Sequence, residues 1–400
     1  HTVTLQEQLV ERDLPAIQVA LGDHTRVAML KGRNHYISLR RWERFLSLLG
    51  SEPAPVDPDR LRFGLKILVW LGGTQTGDKA ELHLTGTEEQ CWRWVASDAD
   101  DCLGTACANW SSRRCHMVAA RAAASAASLV VTNQALLLAA SERQGQVLPE
   151  YAALVVDEAH HLEAAATEQF GATVRATDLG IVLDRLPAAP GSRVHDVVAR
   201  CREAGQRLFG DIKGFIAQTQ GGGQPGNARV ALSPRVREDP NFALVRRAAQ
   251  HAIAVLEAAA TVLAEAAATA VQDELLPQPR QAPDELASAA DALEASARRI
   301  GSIVLGPETA GEVAWLELRG EQAELHQAPA SVAEPLRELI YDLTDTTVLT
   351  SATLSVGGSF AFMRRRLGFP EGGEELLLTS PYDYLQQAIC LLTEQMPPYD

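Results

Sequence analysis

Four hundred residues, 46% hydrophobic and 22% charged, suffice for two or three domains with cores of their own, since domains run about 100–200 residues. A net charge of −15 excludes blanket attraction to nucleic acid, because phosphate binding rests on Lys and Arg, but leaves room for a local basic groove. No run of about eighteen uncharged apolar residues occurs, so no membrane span is expected, and the opening at His1, without a basic n-region or an apolar h-region, carries no expectation of a signal peptide.

In chain order, Leu5 and Leu9 stand at helical spacing within residues 1–12, and Val27 to Leu30 form a short apolar run before Lys31-Gly32-Arg33. A Pro-rich break (Pro53, Pro55, Pro58) precedes a helical pattern through Leu65, Leu68 and Leu71. Leu129-Val130-Val131, Leu154-Val155-Val156 and Val348-Leu349 read as short buried strands. Apolar strands with helices between them point to a parallel α/β sheet, whose ligands bind beyond the carboxyl ends of the strands. From about 166 to 330 the pattern turns helical. Gly221, Gly222, Gly223, Pro225 and Gly226 make a loop, Ile253, Leu256, Ala260 and Leu263 share one helix face, and Leu286, Ala290, Leu293, Ala297 and Ile300 share another. Pro277, Pro279 and Pro283 lie between the two, so an antiparallel helical hairpin is expected.

Asp157-Glu158-Ala159-His160 directly follows the second strand. Nucleotide hydrolysis needs a carboxylate to hold Mg²⁺ beside the phosphates and a second group to orient or deprotonate the attacking water. Asp157 suits the first task and Glu158 the second. The plainer alternative is that the pair caps a following helix. Thr350-Ser351-Ala352-Thr353 follows the third strand, where small hydroxyls can bond catalytic carboxylates, although Ser and Thr commonly finish strands for local reasons.

Four of the six cysteines, Cys91, Cys102, Cys107 and Cys115, crowd into one window, while Cys201 and Cys390 read as ordinary buried thiols. The crowding points to a metal or cluster site in a cytoplasmic protein. With no Cys-x₂-Cys knuckle a zinc ribbon is the less natural reading, and four thiolates suit a [4Fe–4S] cluster. Basic residues also gather at Arg40, Arg41 and Arg44, at Arg113 and Arg114, and at Arg364, Arg365 and Arg366, each group equally readable as a solvated charged face.

These segments together carry a resemblance. Asp157-Glu158-Ala159-His160 resembles motif II of superfamily 2 helicases, and Ser351-Ala352-Thr353 resembles motif III. Residues 1–9 are similar to motif Ia of the DinG branch, a segment that lies against single-stranded DNA. Lys31-Gly32-Arg33 through Tyr36, Val131-Thr132-Asn133 and Ser380-Pro381-Tyr382-Asp383 also look like that family, the DinG/XPD-like iron–sulfur helicases. The resemblance implies a RecA-like parallel-sheet motor domain interrupted by a cysteine-rich iron–sulfur domain and an all-helical arch domain. The first motor domain would take 1–35, 129–165 and 331–380, the cluster domain 36–128, the arch 166–330, and a second motor domain would begin at 381–400.

By the same resemblance Asp157, Glu158 and His160 would be catalytic, Ser351 and Thr353 would serve the nucleotide, and ATP and Mg²⁺ would be cofactors. Thr2, Thr4, Gln6, Arg33 and Tyr36 would meet DNA, which would pass between the cluster domain and the arch. The partners implied are single-stranded and forked DNA, with single-strand-binding or repair proteins, and the direction of travel is 5′→3′. Cys102, Cys107 and Cys115 match the family's last three cluster ligands, but Ser38 stands where the first is expected. Cys91 as substitute, ligation through Ser38, a three-thiolate cluster, a lost cluster and unrelated thiols all stay open. The phosphate-cradling Gly-x₄-Gly-Lys-Ser/Thr and an arginine-bearing motif VI are absent from the 400 residues. A piece of a longer helicase is therefore expected, the alternative being a non-catalytic DNA-binding or scaffolding relative.

Overall fold

The computed structural model describes residues 3–51, 57–98, 102–141, 147–184, 186, 192–219, 228–272, 281–306, 311–387 and 389. Eight strands lie among these: β1 (Val27–Met29), β2 (Leu129–Val131), β3 (Ala153–Asp157), β4 (Ala172–Arg175), β5 (Ala228–Ala231), β6 (Glu312–Arg319), β7 (Gln322–Pro329) and β8 (Thr346–Thr350).

The three strands expected from the apolar runs are β2, β3 and β8, and each pairs in parallel, but in two separate two-stranded sheets rather than the single sheet expected. β1 pairs with β2 in the register Ala28↔Val130, and β3 pairs with β8 so that Asp157 stands opposite Thr350. One core lies beneath both pairs, formed by Leu30, Leu136, Leu138, Val156, Leu162, Leu336 and Ile340. These strands are not buried on both faces, however. Side chains alternate across a strand, so Val156 is 3% exposed on the core face while Val155 and Val348 face outward at 67% and 47%.

A second core is aromatic. Trp42, Phe45, Phe63, Ile67, Trp92 and Val95 pack together where the helices Leu39–Ser51, Pro58–Leu71 and Thr87–Trp92 meet. The second of these helices starts cleanly, because Pro58 sits at its first position and the Asp57 carboxylate accepts from Asp59 N at 2.9 Å. It buries Phe63 and Ile67, and leaves Leu65 and Leu68 more than half exposed.

The 166–330 region departs from the all-helical expectation. β4, β7, β6 and β5 form a four-stranded antiparallel sheet in that order. The helices Arg193–Thr219, Phe242–Gln272 and Gln281–Ile300 pack with it around a third core, in which Leu208, Ile212, Leu256, Leu263, Leu293 and Ile300 meet Leu316 and Leu325. The physical reason is a period of two through Leu316-Glu317-Leu318-Arg319, with a two-residue turn between Arg319 and Gln322 that Gly320 enters at φ 58°. The two long helices do pack on the faces expected, and each buried leucine there is worth about 2 kcal/mol. The segment joining them, and the loop at 220–227, lie outside the described residues. One helical stretch, Phe242–Thr269, is long and apolar enough to cross a membrane by length and composition. Its apolar stripe is turned into this core, and Arg246, Arg247, Glu257 and Glu265 stand on its other sides.

Candidate active site

β3 and β8 end side by side, and their tips carry the two polar motifs. Asp157 closes β3 with an exposed side chain. Glu158 then takes a left-handed backbone, φ 48° and ψ 45°, which a non-glycine residue holds at a cost of about 1 kcal/mol. That turn aims the carboxylate back across the strand ends. Ser351 Oγ donates to Glu158 Oε2 at 3.2 Å and lies 2.7 Å from His160 Nδ1, which is itself 3.1 Å from the same carboxylate oxygen. Gln134 Nε2 braces the turn from below, donating to the carbonyls of Asp157 and Glu158 at 3.0 and 3.3 Å. Thr353 completes the group, its amide donating to Ser351 Oγ at 3.1 Å.

Helix capping does not account for the pair. Neither the short turn Ala159–His161 nor the helix Leu162–Gln169 receives a side-chain cap, and the Glu158 carboxylate is engaged by Ser351 and His160 instead. Asp157, Glu158, His160, Ser351 and Thr353 are thus brought together, on an open surface beyond the carboxyl ends of two parallel strands.

The residues expected to touch DNA divide. Thr2, and the side chain of Thr4, lie outside the described residues. Gln6 is 6% exposed and Tyr36 3%; the Tyr36 hydroxyl accepts from Lys31 N at 3.2 Å, so burial removes both side chains from any nucleic-acid surface. Arg33 is different, lining a cavity of about 890 Å³ between the aromatic-core region and the helices of the 166–330 region. Arg40, Arg41, Arg44, Arg93, Arg121 and Arg299 also line it, with Trp92 and Trp94, among the carboxylates of Glu89, Asp98, Asp178 and Glu285. Arg33 and the arginine cluster at 40–44 were the traces of this lining in the sequence.

The four-thiolate set is not assembled. Among the described residues, which include Cys91, Cys102, Cys107 and Cys115, no three His, Cys, Asp or Glu side chains gather as a metal ion requires. The reason is the aromatic core. Cys91 is 8% exposed within it beside Trp92, and burial pushes its thiol up. Cys115 belongs elsewhere, packing against the core beneath the parallel strands, and Cys102 is exposed. Ser38 caps its helix, Oγ accepting from Arg41 N at 3.4 Å. Cys201 is a buried thiol, as expected, while Cys390 lies outside the described residues.

No family model matches the chain. Over 98% of its length it is 28% identical to the ATP-dependent DNA helicase YoaA of Escherichia coli strain K12, covering 58% of that protein. It is 29% identical over 99% of its length to the ATP-dependent helicase DinG of Mycobacterium tuberculosis, again covering 58%. A 3′-5′ exonuclease DinG of Bacillus subtilis is 24% identical, with 44% of it covered. The chain therefore spans about half the length of the curated relatives it matches. Among solved structures, an XPD helicase aligns over 90% of this chain and 50% of its own with a TM-score of 0.40 and 10% identity.

Proposed function

We propose that this chain, a relative of the DinG and YoaA helicases along nearly its whole length, supplies part of the motor and part of the DNA path of an ATP-dependent DNA helicase. The observation that carries this reading is the hydrogen-bonded group of Glu158, His160 and Ser351, which ties together two strand ends nearly two hundred residues apart.

In this reading Asp157, exposed at the strand tip, holds Mg²⁺, which when bound would neutralise charge on the phosphates. Glu158 takes a proton from water as the water oxygen bonds to the γ-phosphorus. The bond from that phosphorus to the β–γ bridging oxygen breaks, and ADP leaves with the electron pair. Once protonated, Glu158 no longer attracts the Ser351 hydroxyl in the same way. The change passes along the backbone that follows β8, giving Ser351 and Thr353 a relay role. His160 fixes the Ser351 hydroxyl while this happens.

The basic cavity suits a single strand, with arginines for phosphates and tryptophans for bases. We assign 1–35, 129–165 and 331–380 to a first motor domain and 381–400 to the start of a second. Residues 36–128 form a cysteine-bearing domain and 166–330 an arch-like domain that contains a sheet. The resemblance supports 5′→3′ travel on single-stranded and forked DNA in the cytoplasm, alongside single-strand-binding or repair proteins. An iron–sulfur cluster enters this reading through the sequence resemblance of Cys102, Cys107 and Cys115 alone, and no step runs through it. Glu158→Gln, in the protein expressed from the intact gene, is expected to lower ATP hydrolysis at least about a hundredfold while leaving DNA binding in place. Near-normal turnover would refute the assignment.

A further inference from the structure

Arg40 and Arg44 lie one helical turn apart on Leu39–Ser51, so their guanidinium groups share a face. Both grip one carboxylate from the other side of the basic cavity. Arg40 Nη1 stands 3.4 Å from Glu285 Oε1, and Arg44 Nη1 contacts Glu285 Oε2. The three side chains are 6%, 18% and 13% exposed and all line the cavity. Glu285 belongs to the helix Gln281–Ile300, so this one carboxylate links the helical hairpin to the cysteine-bearing domain.

A carboxylate presents two oxygens sharing one negative charge, and so does a phosphodiester with its two non-bridging oxygens. Guanidinium groups bind either by the same forked hydrogen bonding. A buried ion pair stands near break-even, because desolvation of its charges offsets most of their attraction. Exchanging one such anion for another is therefore a small step, whereas removing the anion with nothing in its place is not.

We infer that Arg40 and Arg44 form a phosphodiester-binding fork for single-stranded DNA, and that Glu285 occupies it until a strand enters the cavity. Strand entry then exchanges Glu285 for a backbone phosphate and releases the hairpin from the cysteine-bearing domain at this point. The inference rests on the proposed reading of the cavity as a DNA path.

The test is fluorescence anisotropy of a labelled oligothymidylate, without nucleotide, over a range of salt concentrations, using the protein from the intact gene. Glu285→Gln should bind at least about threefold more tightly than wild type, with the slope of log affinity against log salt steeper by about 0.7 for one further neutralised phosphate. Arg40→Gln/Arg44→Gln should bind more weakly than wild type, and adding Glu285→Gln to that background should bring no gain. A gain that persists there reflects general charge removal and overturns the fork. Should Glu285→Gln fail to fold, Glu285→Asp, one methylene shorter, decides alone: tighter binding than wild type supports the fork, and equal or weaker binding overturns it. Wild type that binds no oligothymidylate refutes the helicase reading itself, whereas wild-type binding with unchanged Glu285 variants removes the fork only.

Discussion

Ser351 Oγ lies 3.2 Å from Glu158 Oε2 and 2.7 Å from His160 Nδ1, so a single hydroxyl serves two partners across the β3–β8 boundary. Its one hydrogen goes to the carboxylate, so its oxygen must accept, and His160 carries a hydrogen on Nδ1. Ser351→Ala removes both bonds, and the local one from Thr353 N, at a part-exposed position, and its cost to stability should stay within about 1–2 kcal/mol. Its cost to function should be larger: DNA-stimulated ATP hydrolysis is expected to fall about tenfold or more, with nucleotide affinity little changed. Ser351→Thr restores the hydroxyl and should recover most of the rate. Steady-state kinetics on the two variants checks this, and equal losses in both would show that the hydroxyl is not what matters.

The outer face of the four-stranded sheet holds a charged network that should govern acid stability. Burial alone would raise the Glu317 carboxyl, but hydrogen bonds from Arg319, Trp315 and Arg229 outweigh it and hold the group down to about 2, from an ordinary 4.5. A carboxylate depressed in the folded state contributes stability above its unfolded value and loses it as pH falls through the folded one. The shift sets an upper bound of about 3 kcal/mol. Arg229 and Arg319 are 64% and 52% exposed, so solvent screening brings the expected effect to about 1–2 kcal/mol. Glu317→Gln should therefore be less stable than wild type at neutral pH by about that amount. Urea unfolding should show the gap closing as pH falls from about 4.5 towards 2. A gap that stays constant with pH would locate the effect in packing.

The parallel strands and the two polar motifs at their tips were legible because each is a local pattern: an apolar run, then a turn of small or charged residues. The sheet in the 166–330 region was legible in principle, since Leu316-Glu317-Leu318-Arg319 alternates between apolar and charged residues. The stronger helical stripes on either side of residue 277 dominated the reading of the whole segment. Glu317 and Glu324 also pointed away from a buried strand, and their burial depends on arginines from neighbouring strands, Arg229 and Arg175. Whether the four cysteines share one site was not legible from their spacing, for a related reason. Closeness in sequence says nothing about which face of a helix a thiol occupies, and Cys91 shares its buried face with Trp92.

Lys31 shows how far apart the partners of one residue can lie. It is 2% exposed, and its ammonium meets Glu7 at 2.7 Å and Asp78 at 2.5 Å, residues 24 positions before it and 47 after. Asp78 also caps the turn Lys79–Leu82 through Ala80 N at 3.0 Å, so the triad joins the first helix to that turn. Lys31→Met leaves the largely buried Asp78 and the part-exposed Glu7 without their cation and should destabilise by about 3 kcal/mol. The triple variant Glu7→Gln/Lys31→Met/Asp78→Asn removes all three charges with little change of shape and should recover at least half of that loss. Chemical denaturation of the two proteins decides, and a triple variant as unstable as the single would mean that the ammonium acts by packing rather than by charge.

Cys91 offers the most direct test of how the aromatic core is built. If its thiol is one more apolar contact in a core of Trp92, Phe63 and Ile67, then Cys91→Ala costs only the small cavity it leaves, about 1 kcal/mol. Whatever iron the purified protein carries should be unchanged in that variant, by both elemental analysis and visible absorbance. Cys107→Ser is the comparison, since that thiol lies outside the aromatic core and is only partly buried. Iron lost with Cys107→Ser but kept with Cys91→Ala would place the metal on the 102–115 turns without Cys91. Iron lost from Cys91→Ala while the protein stays folded would overturn the placement of this thiol and restore the four-cysteine ligand set.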